Sequence, residues 1–171
     1  MANKKFWVGI LVMVLVFGMA VIGCDNGTGN GNGNGSGILD GMDLTTRMPT
    51  EAELAQFPLN VEQFNAIVNA GGSGFQGWEI GIVAGYEDDQ GNLVTFNGIS
   101  MVWLNRSVAN FNAVANLFRD TLPGFSEEFR GTENGWHYAE GDNYLIYFTS
   151  TAIPVQEIPA GFMRVEILEN E

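Results

Sequence analysis

The chain reads as an α+β domain, an antiparallel sheet of about five strands with two or three helices packed on one face. Three observations predict it. Stretches with apolar residues at helical spacing begin behind clear N-cap residues. Others are rich in β-branched and aromatic residues and end in turn chemistry. The links at 87–92 and at Gly141-Asp142 are short and polar, which suits hairpins and not crossovers. The order is ααββαβββ.

Thr50 opens a short helix with a capping box closed by Glu53, and Pro58 bounds it. Asn60 caps the second, with Val61, Phe64, Ile67 and Val68 on one face and Gly71-Gly72 as the stop. Residues 78–86 and 93–104 read as strands, and the polar stretch between them makes a hairpin. Gly81 and Gly85 share one face of the first of these strands, leaving room for a bulky neighbour, most simply the next helix. Ser107 caps that helix, Val108–Thr121, whose apolar face is Val108, Phe111, Val114, Ala115 and Phe118. Pro123-Gly124 ends it. Residues 135–139 and 144–150 form a second hairpin, and 162–168 a last strand with Met163, Val165 and Ile167 alternating inward.

Charge narrows the function classes. The chain carries 20 Asp and Glu against seven Lys and Arg, a net of −13. Nucleic-acid binding needs basic residues to displace phosphate counterions, so it is not expected. An acidic surface suits solubility, or attraction of a basic partner or of divalent cations.

Several motifs reduce to ordinary structure. The glycine-rich run Gly71 to Gly77 follows a helix and leads into a strand, the reverse of a phosphate loop. His137 is the sole histidine, so one chain offers no multi-histidine metal site, and no nucleophile elbow accompanies it. Glu87, Asp88 and Asp89 gather carboxylates without EF-hand spacing, and turn chemistry explains them as well as calcium does. Glu127, Glu128, Glu133, Glu140 and Asp142 read as acidic loop decoration, or as the source of a glycosidase pair. No cofactor, metal ligand set or catalytic residue is assigned.

The candidate binding residues are Trp136, Tyr138 and Tyr147. A two-residue turn at Gly141-Asp142 puts Trp136 opposite Tyr147 and Tyr138 opposite Leu145 on one face. His137, Tyr144, Ile146 and Phe148 share the other. Both faces are then apolar. Either the sheet is covered on both sides, or one face is an aromatic platform for a ligand or partner.

The N-terminus carries the most specific signal. Lys4 and Lys5 precede an apolar run from Phe6 to Ala20, which closes in Val21-Ile22-Gly23-Cys24. This resembles the signal and lipobox of bacterial lipoproteins. The resemblance implies a signal peptide at 1–23, cleavage after Gly23 and acylation of Cys24, the lipid attachment residue. An uncleaved anchor is the alternative, since 18 apolar residues sit at the short edge of a span. Residues 24–37 are the lipidated cysteine and a leash, 25–37, that alternates glycine with short polar residues and has a reach of about 20 Å. The lipobox running into this leash is similar in style to spirochaete lipoproteins, a likeness confined to export and tether.

Residues 38–171 then form one globular domain. Loss of residues 1–23 takes both lysines, leaving five arginines against 20 acids, a net of −15. Acylation takes the only cysteine, so the domain has no disulfide or thiol chemistry. The expectation is an envelope lipoprotein held to membrane lipid through Cys24. Its non-catalytic domain would bind a protein, peptide or glycan, or serve a structural role. A carboxylate-dependent hydrolase of envelope glycans or peptides is the alternative.

Overall fold

The computed structural model describes residues 37–39, 41–87 and 90–170. Cys24, the expected signal and leash, and the calcium question at Asp88 and Asp89 lie outside the described residues. Within them the α+β class holds. Helices α1 (Glu51–Leu54), α2 (Val61–Gly71) and α3 (Val108–Thr121) accompany strands β1 (Phe75–Glu87), β2 (Leu93–Trp103), β3 (Glu127–Glu133), β4 (Trp136–Gly141), β5 (Tyr144–Thr149) and β6 (Met163–Leu168). The strands form one antiparallel sheet in the order β1-β2-β6-β5-β4-β3.

The helix starts are built as their residues dictate. Thr50 N–H donates to Glu53 Oε2 at 2.8 Å and Glu53 N–H returns to Thr50 Oγ1 at 3.3 Å. Asn60 and Gln63 repeat the exchange at 2.9 and 2.8 Å. At α3, Ser107 donates through both its backbone N–H and its hydroxyl to Asn110 Oδ1. Phe64 and Ile67 of α2, with Phe111, Val114 and Phe118 of α3, bury against Ile99, Met101, Ile146 and Val165 of the sheet. This is the main core. Val108, expected on the buried face, is instead exposed at the first turn of α3, before the helix meets the sheet.

Three local expectations are corrected. Residues 127–133 form β3, an edge strand, and not an acidic loop. An edge strand has one neighbour and can leave its polar side chains in water, so EEFRGTE needs no apolar alternation. Its signal was the turn: Asn134 and Gly135 adopt φ of 49° and 85°, the left-handed pair that a two-residue hairpin demands.

The second hairpin turns at Asp142-Asn143, one residue later than Gly141-Asp142, and pairs Tyr138 with Tyr147 and Trp136 with Thr149. Gly141 is held in β4 opposite Glu127 of β3, and its bare Cα lets the Tyr144 ring lie across it. The slip shifts partners by two positions, which leaves every side chain on its expected face.

No helix presses on Gly81, where an added Cβ would meet nothing within 4 Å, and at Gly85 the nearest neighbours belong to β2. The close approach is at Gly98, over which Val83 packs. Val83 reaches that face because β1 is irregular between Ile82 and Ala84, so that two residues of β1 share one step of β2.

The face away from the helices is covered too. Ile38, Leu39, Met42 and Leu44 of the N-terminal segment pack there with Val102, Tyr147, Ile158 and Phe162. Residues 38, 39 and 41–45 thus form a strap across the sheet, pinned where Thr45 and Trp78 exchange backbone hydrogen bonds of 2.8 and 2.9 Å. Gly77 makes the crossing possible, because a Cβ there would stand 2.8 Å from the Thr45 carbonyl oxygen.

Candidate functional site

The non-helical face carries the chemistry. Its residues follow from the strand registers, which set two cross-strand rows. One runs Glu79, Ser100, Glu166, Leu145, Glu140 and the other Gly77, Val102, Arg164, Tyr147, Tyr138. β6 is central, so both of its faces are buried. Met163, Val165 and Ile167 point to the helices as expected, and Arg164 and Glu166 are buried on the opposite side.

Arg164 Nε donates to Ser100 Oγ at 2.5 Å and lies 3.0 Å from Glu166 Oε1. With its single N–H aimed at the serine, Nε gives Glu166 Oε1 an ion pair but no well-directed hydrogen bond. Glu166 is 2% exposed, and burial pushes its carboxyl up to about 7, with Arg164 opposing and Glu79 adding to the rise. Tyr147 is 4% exposed, and its hydroxyl also lacks a well-directed partner. Burial raises its pKa. Glu140, half-buried, is raised by desolvation as well.

The three aromatic candidates do share this face but not one environment. Tyr147 is buried, 5.6 Å from Trp136 and 6.0 Å from Phe162 between ring centroids. Trp136 and Tyr138 are half-buried toward the free edge. Tyr138 tilts over Gly131, which has no side chain to obstruct it, and meets Phe129 at 5.5 Å. Phe129 is 52% exposed. The solvent-facing aromatic strip is therefore Phe129, Tyr138 and Trp136, with Tyr147 beneath its inner end. Phe129 carries no signal of its own in the sequence, because EEFRGTE has the composition of a loop. The buried Arg164 and Glu166 escape notice because alternation in MRVEIL reads as charges facing water. The neighbouring strand YLIYF, apolar on both faces, was the signal that β6 is covered twice.

The remaining sequence candidates fall elsewhere. His137 faces the helices, 5.8 Å from Phe111 and 5.5 Å from Phe148, with Nδ1 3.1 Å from Thr132 Oγ1. It is a packed strand residue. Glu127 ion-pairs with Arg130, which also reaches Asn116 Oδ1 at 3.2 Å and so ties β3 to α3. Glu128, Glu133 and Asp142 are exposed along β3 and the last hairpin turn. The glycine run Gly71 to Gly77 is a loop between a helix and a strand, with Arg106 Nη1 and Nη2 directed at Gly71 O and Ser73 Oγ. Among the described residues no group of three His, Cys, Asp or Glu side chains is placed to hold a metal ion. No described helix is long and apolar enough to cross a membrane. No protein-family model, curated protein or solved structure matches the chain.

Proposed function

We propose that the chain is a lipidated envelope protein whose domain is a non-catalytic binding module, and that it captures a basic polypeptide along β3. One observation carries this reading. The open edge strand β3 lies beside a solvent-facing strip of Phe129, Tyr138 and Trp136, and Glu133 and Glu140 flank that strip. An edge strand offers unpaired N–H and C=O groups for strand addition, and aromatic rings on one face supply pockets for alternate side chains. Carboxylates beside those rings select a basic partner and speed its encounter. The leash and Cys24 would hold the module about 20 Å from lipid, within reach of envelope proteins.

Two experiments test it. Phe129→Ala with Trp136→Ala should abolish cross-linking of the anchored protein to its partner in intact cells, while circular dichroism and thermal unfolding stay near those of the parent chain. Undiminished cross-linking removes the site. Cys24→Ser should lose acyl labelling and accumulate as a larger precursor, and unchanged size and membrane retention would favour an uncleaved anchor. The hydrolase reading ranks lower on a specific ground. Glu166, the carboxyl raised furthest toward neutrality, is buried and faces Arg164, where no polymer touches it while the strap is seated.

A further inference from the structure

The strap and the buried charges beneath it form one unit. Asp43 N–H donates to Glu79 Oε2 at 3.1 Å, so the strap is held by a carboxylate of the sheet as well as by its apolar contacts. Glu79 stands in the cross-strand row of Glu166, with Ser100 between them. Arg164 of the adjoining row ion-pairs with Glu166 at 3.0 Å, the charge of Glu79 acts on both, and Tyr147 is the neutral neighbour on β5. Glu140 closes the row two strands away, and the Asp43 carboxylate lies exposed on the strap. Fully ionised, two carboxylates and one guanidinium leave a net negative charge in a group of which only half-buried Glu79 meets water. Water tolerates that charge and a buried site does not.

We propose that this strap is a proton-linked latch, seated when the Glu79–Arg164–Glu166 group holds one extra proton and released when it loses that proton. Protonated Glu166 leaves Arg164 to neutralise Glu79, and the strap closes over a site of no net charge. Deprotonated Glu166 competes with Glu79 for one guanidinium. Lifting the strap lets water reach the cluster and relieves the excess charge. The sign follows from linkage: the seated form binds the proton more tightly, so rising pH favours release. Release uncovers Val102, Tyr147 and Phe162 beside the exposed aromatic strip. It also frees the segment that directly follows the Gly/Asn run, lengthening the leash. The latch does not depend on what β3 binds.

Hydrogen exchange on the whole chain tests it. Protection of the Asp43, Thr45 and Trp78 amides, corrected for intrinsic rates, should fall about tenfold between about pH 5.5 and about pH 8.5, the ratio that one pKa unit of coupling produces. The amides of α3 should hold their protection. Glu166→Gln should keep the strap protected at both pH values. Equal protection in the parent chain at the two pH values, or an unaltered pH response in Glu166→Gln, overturns the latch. If that variant fails to fold, carboxyl ¹³C titration of Glu166 decides. Its midpoint should drop toward an ordinary glutamate in Met42→Ala/Leu44→Ala, and an unmoved midpoint also overturns the latch. Loss of partner capture with the latch intact would count only against the binding site on β3.

Discussion

Gly71 and Trp103 meet where no side chain fits between them. A Cβ on Gly71, the last residue of α2, would stand 2.5 Å from both Cε2 and Nε1 of the Trp103 indole. Trp103 is fully buried at the end of β2, also against Phe75 at 5.0 Å, and a rigid bicyclic ring has no easy retreat. Gly71→Ala gains about 1 kcal/mol of helix propensity but overpacks the core, which costs about 1–3 kcal/mol. We expect net destabilisation and a lower urea midpoint. A midpoint at or above that of the parent chain would show that the indole can move.

The glycines of the first hairpin separate two kinds of position. Gly81 has open space where a Cβ would go, so Gly81→Ala should be neutral or stabilising by up to about 1 kcal/mol through reduced unfolded-state freedom. At Gly98 a Cβ would collide with Val83 and lie 2.6 Å from the Ile167 carbonyl oxygen. Gly98→Ala should cost on the order of 1–3 kcal/mol or more. Val83→Ala should recover only part of that loss, because the carbonyl belongs to the neighbouring backbone. Equal thermal stability of the two alanine variants would refute the distinction.

Tyr144 offers a gain. Its ring packs on Phe118 at 4.5 Å and on Phe125 at 5.8 Å, and its hydroxyl is buried without a hydrogen-bond partner. Burial raises its pKa to about 12, first through desolvation and then through the nearby Glu127 carboxylate. Tyr144→Phe removes an unsatisfied polar atom and should stabilise by on the order of 1 kcal/mol at neutral pH. The raised folded pKa means that stability held below about pH 10 is lost as pH climbs toward 12. The variant should therefore tolerate alkali better in parallel denaturation curves. A less stable variant would mean that the hydroxyl finds a partner.

How far the fold was legible depended on whether local chemistry was sufficient. The helices announced themselves through Thr50-Glu53, Asn60-Gln63 and Ser107, because a cap and an amphipathic face are written within a few residues. The faces of β4 and β5 were legible too, since alternation survives a two-residue slip of register. What failed was decided between distant segments. β3 lacks apolar alternation because it is an edge, and edges are assigned only once the strand order is known. Gly98 rather than Gly81 carries the close contact because of one irregularity in β1. The buried pair on β6 depends on a strap 120 residues earlier crossing the same face, which no local pattern in MRVEIL conveys.

That buried pair supplies the last prediction, one about global stability. Glu166 is fully enclosed in the folded chain, where burial lifts its carboxyl to about 7, whereas an unfolded glutamate titrates near its ordinary value of about 4.3. Below the unfolded value both states hold the proton and Glu166 adds no pH dependence. Between the two values the folded chain holds a proton that the unfolded chain has released, so stability declines as pH rises. Above about 7 the folded chain must either bury the ionised carboxylate or lift the strap from it, and the loss levels off. The total is on the order of 1–3 kcal/mol, from about 1.4 kcal/mol per pKa unit discounted for relaxation around a coupled pair. Glu166→Gln keeps the shape and removes the ionisation. Its stability should be flat over this window and exceed the parent chain's more at about pH 8 than at about pH 5. Arg164→Met should act in the opposite sense, because without the guanidinium an ionised Glu166 has no counter-charge, and the loss at high pH should steepen. Denaturant titrations of the three chains at matched ionic strength would settle the matter. Parallel pH profiles for the parent and the glutamine variant would mean that Glu166 keeps its charge in the fold.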